Sequence, residues 1–137
     1  MKSLVSYINE SLGNKEPNMF VIIKPGFLDK ENEIEQMITS EGWEILKKEQ
    51  KKLDKPTVEK LYKNQKDEKF FDDLCNYMSS DDSIGYQLYK DTNNPIDGMK
   101  KIKEKVRDAY AKDEMKNGMH SSDSEQNVKR EIKLYFK

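Results

Sequence analysis

The sequence predicts an α/β (α+β) fold, a ferredoxin-like βαββαβ sandwich with an antiparallel sheet and added helices. Three observations carry that expectation. Met19–Ile23 is a continuous apolar run, the pattern of a strand buried on both faces. Ile84, Tyr86 and Leu88 alternate with small or polar neighbours, as a strand does. Stripes at helical spacing follow each of these strands, so the chain reads as two βαβ halves with helices between them and a helix at the end.

The elements follow in chain order. Leu4, Val5 and Ile8 stand at helical spacing and Gly13-Asn14 can end a short helix. Residues 1–18 therefore read as an N-terminal extension, and residues 19–137 as the domain. Lys24-Pro25-Gly26 stops the first strand. Ile34, Met37 and Ile38, at i, i+3 and i+4, mark an amphipathic helix that Gly42 closes. Trp43 to Leu46 opens a second strand whose later residues are charged. Val58, Leu61 and Tyr62 form a short helical stripe after Pro56, and Phe70, Phe71, Leu74, Cys75, Tyr77 and Met78 form a stronger one. Ser79 to Ser83 is a polar turn. After Lys90, Asp91 to Gly98 reads as loop, with Asn93-Asn94-Pro95 as its turn signal. Met99, Ile102, Val106 and Tyr110 mark another helix, a short strand lies around Met119, and Val128 and Ile132 line the last helix.

The length of 137 residues fits one domain with a modest core, and 37% charged residues leave a strongly charged surface. The formal net charge of −1 provides no overall field for nucleic acid or an anionic membrane. The Lys-rich run from Lys47 to Lys60 is interleaved with Glu49, Asp54 and Glu59 and reads as a solvated face. The single Cys75 lies among apolar residues and reads as a buried structural thiol. No apolar run approaches the roughly 20 residues of a membrane span, and no signal peptide is evident, so a cytoplasmic location is the default expectation.

Histidine occurs once, in Asn117-Gly118-Met119-His120-Ser121-Ser122-Asp123-Ser124. Ser122 with Glu125 three residues on has the form of a capping box, which predicts a helix start directly after the histidine. The positive end of that helix would stabilise an anion beside the imidazole. A nucleophilic His next to an anion site suggests a phosphohistidine. A surface His near a helix cap accounts for the same segment. Phe70 and Tyr62 fall on apolar stripes, so core packing explains both from pattern alone. Glu131 by itself reads as a solvent-facing helix residue, and Arg107 as a helix-flank cation.

The segment Asn-x-x-His-x-Ser-Asp-Ser, then Glu131 eleven residues after His120, then Leu134-Tyr135-Phe136, resembles the active-site signature of nucleoside diphosphate kinases. Phe20 to Pro25 resembles the family's first strand, which ends in Lys-Pro. Leu61-Tyr62, Phe70-Phe71 and Tyr77-Met78 resemble its Tyr-bearing helix pair. Asn93-Asn94-Pro95 resembles its Thr-Asn-Pro loop, and Arg107 stands thirteen residues before His120, as its phosphate-binding Arg does. The resemblance spans residues 19 to 136 and implies the ferredoxin-like fold.

It also implies roles. His120 would carry the phosphoryl group, Glu131 would orient its ring, and Ser122 would lie near it. Lys24 and Asn117 would serve the ribose hydroxyl and the transferring phosphate. Arg107 and Tyr62 would bind phosphates, Phe70 would stack on the base, and Asn93 takes the place of a phosphate-contacting Thr. The implied activity moves the γ-phosphate of a nucleoside triphosphate to a nucleoside diphosphate by a ping-pong route, with Mg2+ bound through the nucleotide phosphates. A homo-oligomer is implied as well. The chain departs from the family pattern before Asn93, where about ten residues are missing, and no Arg lies between Tyr62 and Arg107. Lys90, Lys100 and Lys101 are the candidates to replace that charge. A weak or inactive nucleotide-binding protein on the same scaffold is the alternative, and an RNA-binding module is disfavoured by the balanced charge.

Overall fold

The structure is a computed structural model that describes residues 15–137. The helix expected around Leu4, Val5 and Ile8 lies outside the described residues. Four strands form one antiparallel sheet: β1 (Met19–Ile23), β2 (Glu44–Lys52), β3 (Asp82–Tyr89) and β4 (Met119–Ser121). Their order is β2-β3-β1-β4, and every neighbouring pair is antiparallel. Five helices surround the sheet among the described residues: α1 (Glu31–Thr39), α2 (Lys55–Leu61), α3 (Phe71–Met78), α4 (Pro95–Tyr110) and α5 (Glu125–Tyr135). This is the ferredoxin-like arrangement expected from the sequence.

Strand parity divides the core. Side chains alternate across a strand, so β1 sends Met19, Val21 and Ile23 to one face and Phe20 and Ile22 to the other. The first set packs with Ile34 and Ile38 of α1 and Met99, Ile102 and Val106 of α4. The second packs with Val58 and Leu61 of α2, Leu74, Cys75 and Met78 of α3, and Tyr135 of α5. All five β1 residues are fully buried, which explains their unbroken apolar run. Cys75 is likewise buried and free.

Strand β2 runs on through the charged stretch to Lys52, in keeping with a second strand whose later residues are charged. It is an edge strand, so half of its positions meet solvent and charge is tolerated there. One boundary differs from the sequence expectation: helix α4 begins at Pro95, inside the stretch read as loop, rather than near Met99. Proline suits the first helical position, where an N–H has no intrahelical partner to lose.

Gly85 is fixed by packing. A Cβ there would lie 2.4 Å from Tyr135 Cε1. The ring of Tyr135 therefore crosses directly over β3, and its hydroxyl lies 3.0 Å from Ser83 Oγ.

Candidate active site

Pairing of β1 with β4 sets the site. Ile22 faces His120 across the ladder, so His120 shares the sheet face of Phe20 and Ile22. Lys24, two residues beyond Ile22, continues the same parity just past the strand. Met119 and Ser121 alternate to the opposite face, and Met119 joins the other core. Gly118 turns the chain into β4 with φ +103°, a left-handed conformation that suits glycine, and a Cβ there would meet Val106 Cγ1 at 2.9 Å. Its carbonyl accepts the Lys24 N–H at 3.0 Å, which joins the strand ends.

The imidazole is held from three sides. Its Nε2 lies 2.5 Å from Glu131 Oε1. Tyr62 and Phe20 meet the ring edge-on at centroid distances of 5.3 and 6.2 Å. Glu131 is only 2% exposed, although taken by itself it reads as a solvent-facing helix residue. The reason is helical phase: Val128, Glu131 and Tyr135 recur on one buried face of α5. The carboxylate is bound on both oxygens. Ser122 donates its hydroxyl to Oε1 at 3.1 Å, and Arg130 Nη2 lies 3.6 Å from Oε2. Arg130 also donates to the Lys60 carbonyl at 2.6 Å, tying α5 to the end of α2. Sequence reading missed Arg130.

The helix start is corrected. Ser124, not Ser122, caps α5, accepting from the Asn127 N–H at 3.1 Å. Ser122 extends the strand instead, its N–H bonded to the Phe20 carbonyl at 3.1 Å. The first turn of α5 is therefore displaced two residues from the expected position, and what the helix gives His120 is a carboxylate from its second turn.

His120 lines a cleft of about 750 Å3. The other lining residues include Lys24, Tyr62, Phe70, Arg107 and Asn117, so six of the residues singled out in the sequence converge there. Phe70 is not core: it is 43% exposed, at the start of α3. Ser122 and Glu131 stand behind the histidine. Asn93 is the exception. It lies exposed on the loop before α4 and does not line the cleft. Helix α4 rises about 1.5 Å per residue, which puts its first turn roughly 18 Å from Arg107 along the axis. Lys90, Lys100 and Lys101 are also absent from the lining, whereas Lys103 is present. Lys103 sits one helical turn before Arg107, and that i, i+4 spacing was the available signal.

The cleft gathers three cations, Lys24, Lys103 and Arg107, beside the carboxyl groups of Asp73, Asp113, Glu114 and Asp123, and its polar groups are incompletely satisfied. Burial, then the charges of Arg107 and Lys103, bring Lys24 down from 10.5 to about 7. Its Nζ donates to the Met115 carbonyl at 3.2 Å. Burial raises the Tyr62 phenol well above its ordinary range, so it remains an O–H donor. Among the described residues, the buried side-chain atoms without a partner are Tyr62 Oη, Arg107 Nε and Asn117 Oδ1. All three belong to residues that line this cleft. Buried polar atoms are normally paired, so three orphans around one hollow mark a place for a polar ligand.

A sequence model described as nucleoside diphosphate kinase matches residues 17–137. The chain is 30% identical over 128 residues to a nucleoside diphosphate kinase of Sulfurisphaera tokodaii, covering 86% of this chain and 87% of that protein. It is 30% identical over 130 residues to one from Methanocaldococcus jannaschii, covering 86% and 91%. It is 27% identical to nucleoside diphosphate kinase homolog 5 of Homo sapiens, covering 84% of this chain and 59% of that one. The fold superposes on crystalline Aquifex aeolicus nucleoside diphosphate kinase with a TM-score of 0.75 at 22% identity, covering 87% of this chain and 94% of that one. With the convergence of Lys24, Tyr62, Arg107, Asn117 and His120 on one cleft, these matches lead to one conclusion: the chain belongs to the nucleoside diphosphate kinase family.

Proposed function

We propose that the protein moves the γ-phosphate of a nucleoside triphosphate to a nucleoside diphosphate through a phosphohistidine on His120. The observation that carries this reading is the clamp between His120 Nε2 and Glu131 Oε1 at 2.5 Å, at the wall of a cleft that Lys24, Lys103 and Arg107 also line. With Nε2–H donated to the carboxylate, Nδ1 is the nitrogen left with a lone pair. Nδ1 attacks the γ-phosphorus, an N–P bond forms, and the bond from phosphorus to the β–γ bridging oxygen breaks. The electron pair leaves on the diphosphate. Glu131 stabilises the positive charge that develops on the ring. In the second half, a terminal oxygen of the acceptor diphosphate attacks phosphorus and the N–P bond breaks, restoring the histidine.

The remaining side chains suit the substrate. Arg107 offers a planar fork to phosphate oxygens, and Lys24 adds a second charge. Tyr62 Oη and Asn117 Oδ1 gain partners. Phe70, exposed at the start of α3, offers a face to any base, which implies low base selectivity. No group of three or more His, Cys, Asp or Glu able to hold a metal occurs among the described residues. Mg2+ would arrive on the nucleotide phosphates and neutralise part of their charge.

The competing reading, nucleotide binding without turnover, draws on the short loop before α4. Intact-mass spectrometry after brief incubation with ATP and Mg2+ separates them. One phosphoryl group is expected on the wild type, none on His120→Ala, and GDP should remove it. Bound nucleotide with no adduct would establish the competing reading.

A further inference from the structure

The cleft holds a third cation that neither the sequence motifs nor the family match assigns. We propose that Lys103 is a phosphate-binding side chain of this site, closing a triangle of charge with Arg107 and Lys24 around the substrate's terminal phosphates. The inference rests on the phosphotransfer reading and adds a residue to it.

Its position on α4 is the first argument. Met99, Ile102 and Val106 turn to the sheet and are buried. Lys103 and Arg107, one turn apart, occupy the adjacent face and both line the cleft. Lys100 and Lys101 point elsewhere: both are exposed, and Lys101 borders a separate hollow with Glu41 and Trp43. Lys103 is thus selected by helical phase from a run of lysines.

The second argument is electrostatic. An unoccupied lysine normally carries its ammonium to water or to a carboxylate. Among the described residues, Lys103 forms no ion pair within 4.0 Å. The groups that act on it are Arg107 and Lys100, which repel it, and Asp123 and Glu104, which attract it. Burial and the Arg107 charge together hold it below its ordinary range. Lys24 is acted on by Arg107 and Lys103 in the same sense, with Asp113 opposing them. Three cations gathered in a half-closed cleft repel one another, and a polyanionic ligand relieves that repulsion. The Arg107 Nε–H, a buried donor without a partner, points to the same missing anion. A lone phosphate monoester needs no third cation, whereas a diphosphate or triphosphate presents enough charge to engage all three.

The test compares ADP, AMP and adenosine binding by calorimetry in wild type, Lys103→Met, Lys103→Arg and Lys100→Met. A charged hydrogen bond lost to phosphate predicts about 10- to 100-fold weaker ADP binding in Lys103→Met. Adenosine binding should stay within about threefold, AMP should change less than ADP, and Lys103→Arg should recover most of the loss. Lys100→Met should match wild type. In the wild-type protein, ADP should shield Lys103 but not Lys100 from amine-modifying reagent, a readout independent of whether any variant folds. Equal loss of ADP and adenosine, unchanged ADP binding in Lys103→Met, or no shielding of Lys103 would overturn the assignment. If wild type forms phospho-His120 and these results still fail, only the Lys103 role falls. If wild type neither binds ADP nor forms the adduct, the phosphotransfer reading falls with it.

Discussion

Lys24 links the pH of the solution to the occupancy of the cleft. It is 4% exposed and held at about 7, first by burial and then by Arg107 and Lys103. At pH 8 an amine of that pKa is roughly 90% neutral, and at pH 6 roughly 90% charged. A phosphate placed among these groups reverses the balance, since an adjacent anion favours the ammonium. Nucleotide binding should therefore take up close to one proton at pH 8 through Lys24, and about a tenth of one at pH 6. The assay is calorimetry of ADP binding in two buffers of different ionisation enthalpy at each pH. The slope of binding enthalpy against buffer enthalpy counts the protons, and Lys24→Met supplies the baseline for every other group. A wild-type slope at pH 8 equal to that of Lys24→Met would refute the reasoning. Stability gives an independent reading of the same shift. Lys24 binds its proton more weakly in the fold than in the unfolded chain, so the cost is full below pH 7. It fades as pH rises from 7 towards 10.5, where the unfolded chain holds more protons. At about 1.4 kcal/mol per tenfold, less about 1 kcal/mol for the bond to the Met115 carbonyl, Lys24→Met should gain a few kcal/mol at pH 6. Urea melts should show that gain shrinking by pH 9.

Three further outcomes follow from the geometry. Phe70→Ala removes an exposed ring, so the melting temperature should hardly move while ADP affinity drops roughly 5- to 100-fold; unchanged affinity would remove Phe70 from base stacking. Ser124→Ala should cost about 1 kcal/mol by loss of the α5 cap, whereas Ser122→Ala should lower turnover through Glu131 as well as stability, and denaturant melts run beside turnover assays distinguish the two serines. Gly85→Ala should destabilise by roughly 1–3 kcal/mol or more, because its methyl would overlap the Tyr135 ring; a wild-type melt would mean that ring has room to move.

The strands were legible because their cause is local. The run Met19–Ile23 is apolar throughout since both faces of β1 are covered, and Ile84, Tyr86 and Leu88 alternate in β3 as expected. Helix phase was legible too, and it carried more than was taken from it. Val128, Glu131 and Tyr135 share one stripe, which already implied that Glu131 is buried. The four-residue step from Lys103 to Arg107 likewise placed both on one face. Other features had no local signature. Ser122 and Ser124 are both competent caps, and the capping-box partner Glu125 favours Ser122, so only the ladder bond from Ser122 N–H to the Phe20 carbonyl decides for Ser124. Asn93 resembles a phosphate ligand in sequence, yet the long helix α4 that follows its short loop keeps it out of the cleft.

The sequence by itself determined which residues could do chemistry: one histidine, one arginine thirteen positions before it, and a lysine ending an apolar strand. Tertiary structure alone decided which of them meet. Antiparallel pairing of β1 with β4 sets Lys24 and His120, 96 positions apart in sequence, on one sheet face. Packing of α5 then buries Glu131 against His120, and α4 delivers Lys103 beside Arg107. A local pattern specifies the period of an element, but the distances between elements come from strand register and from how their buried faces pack.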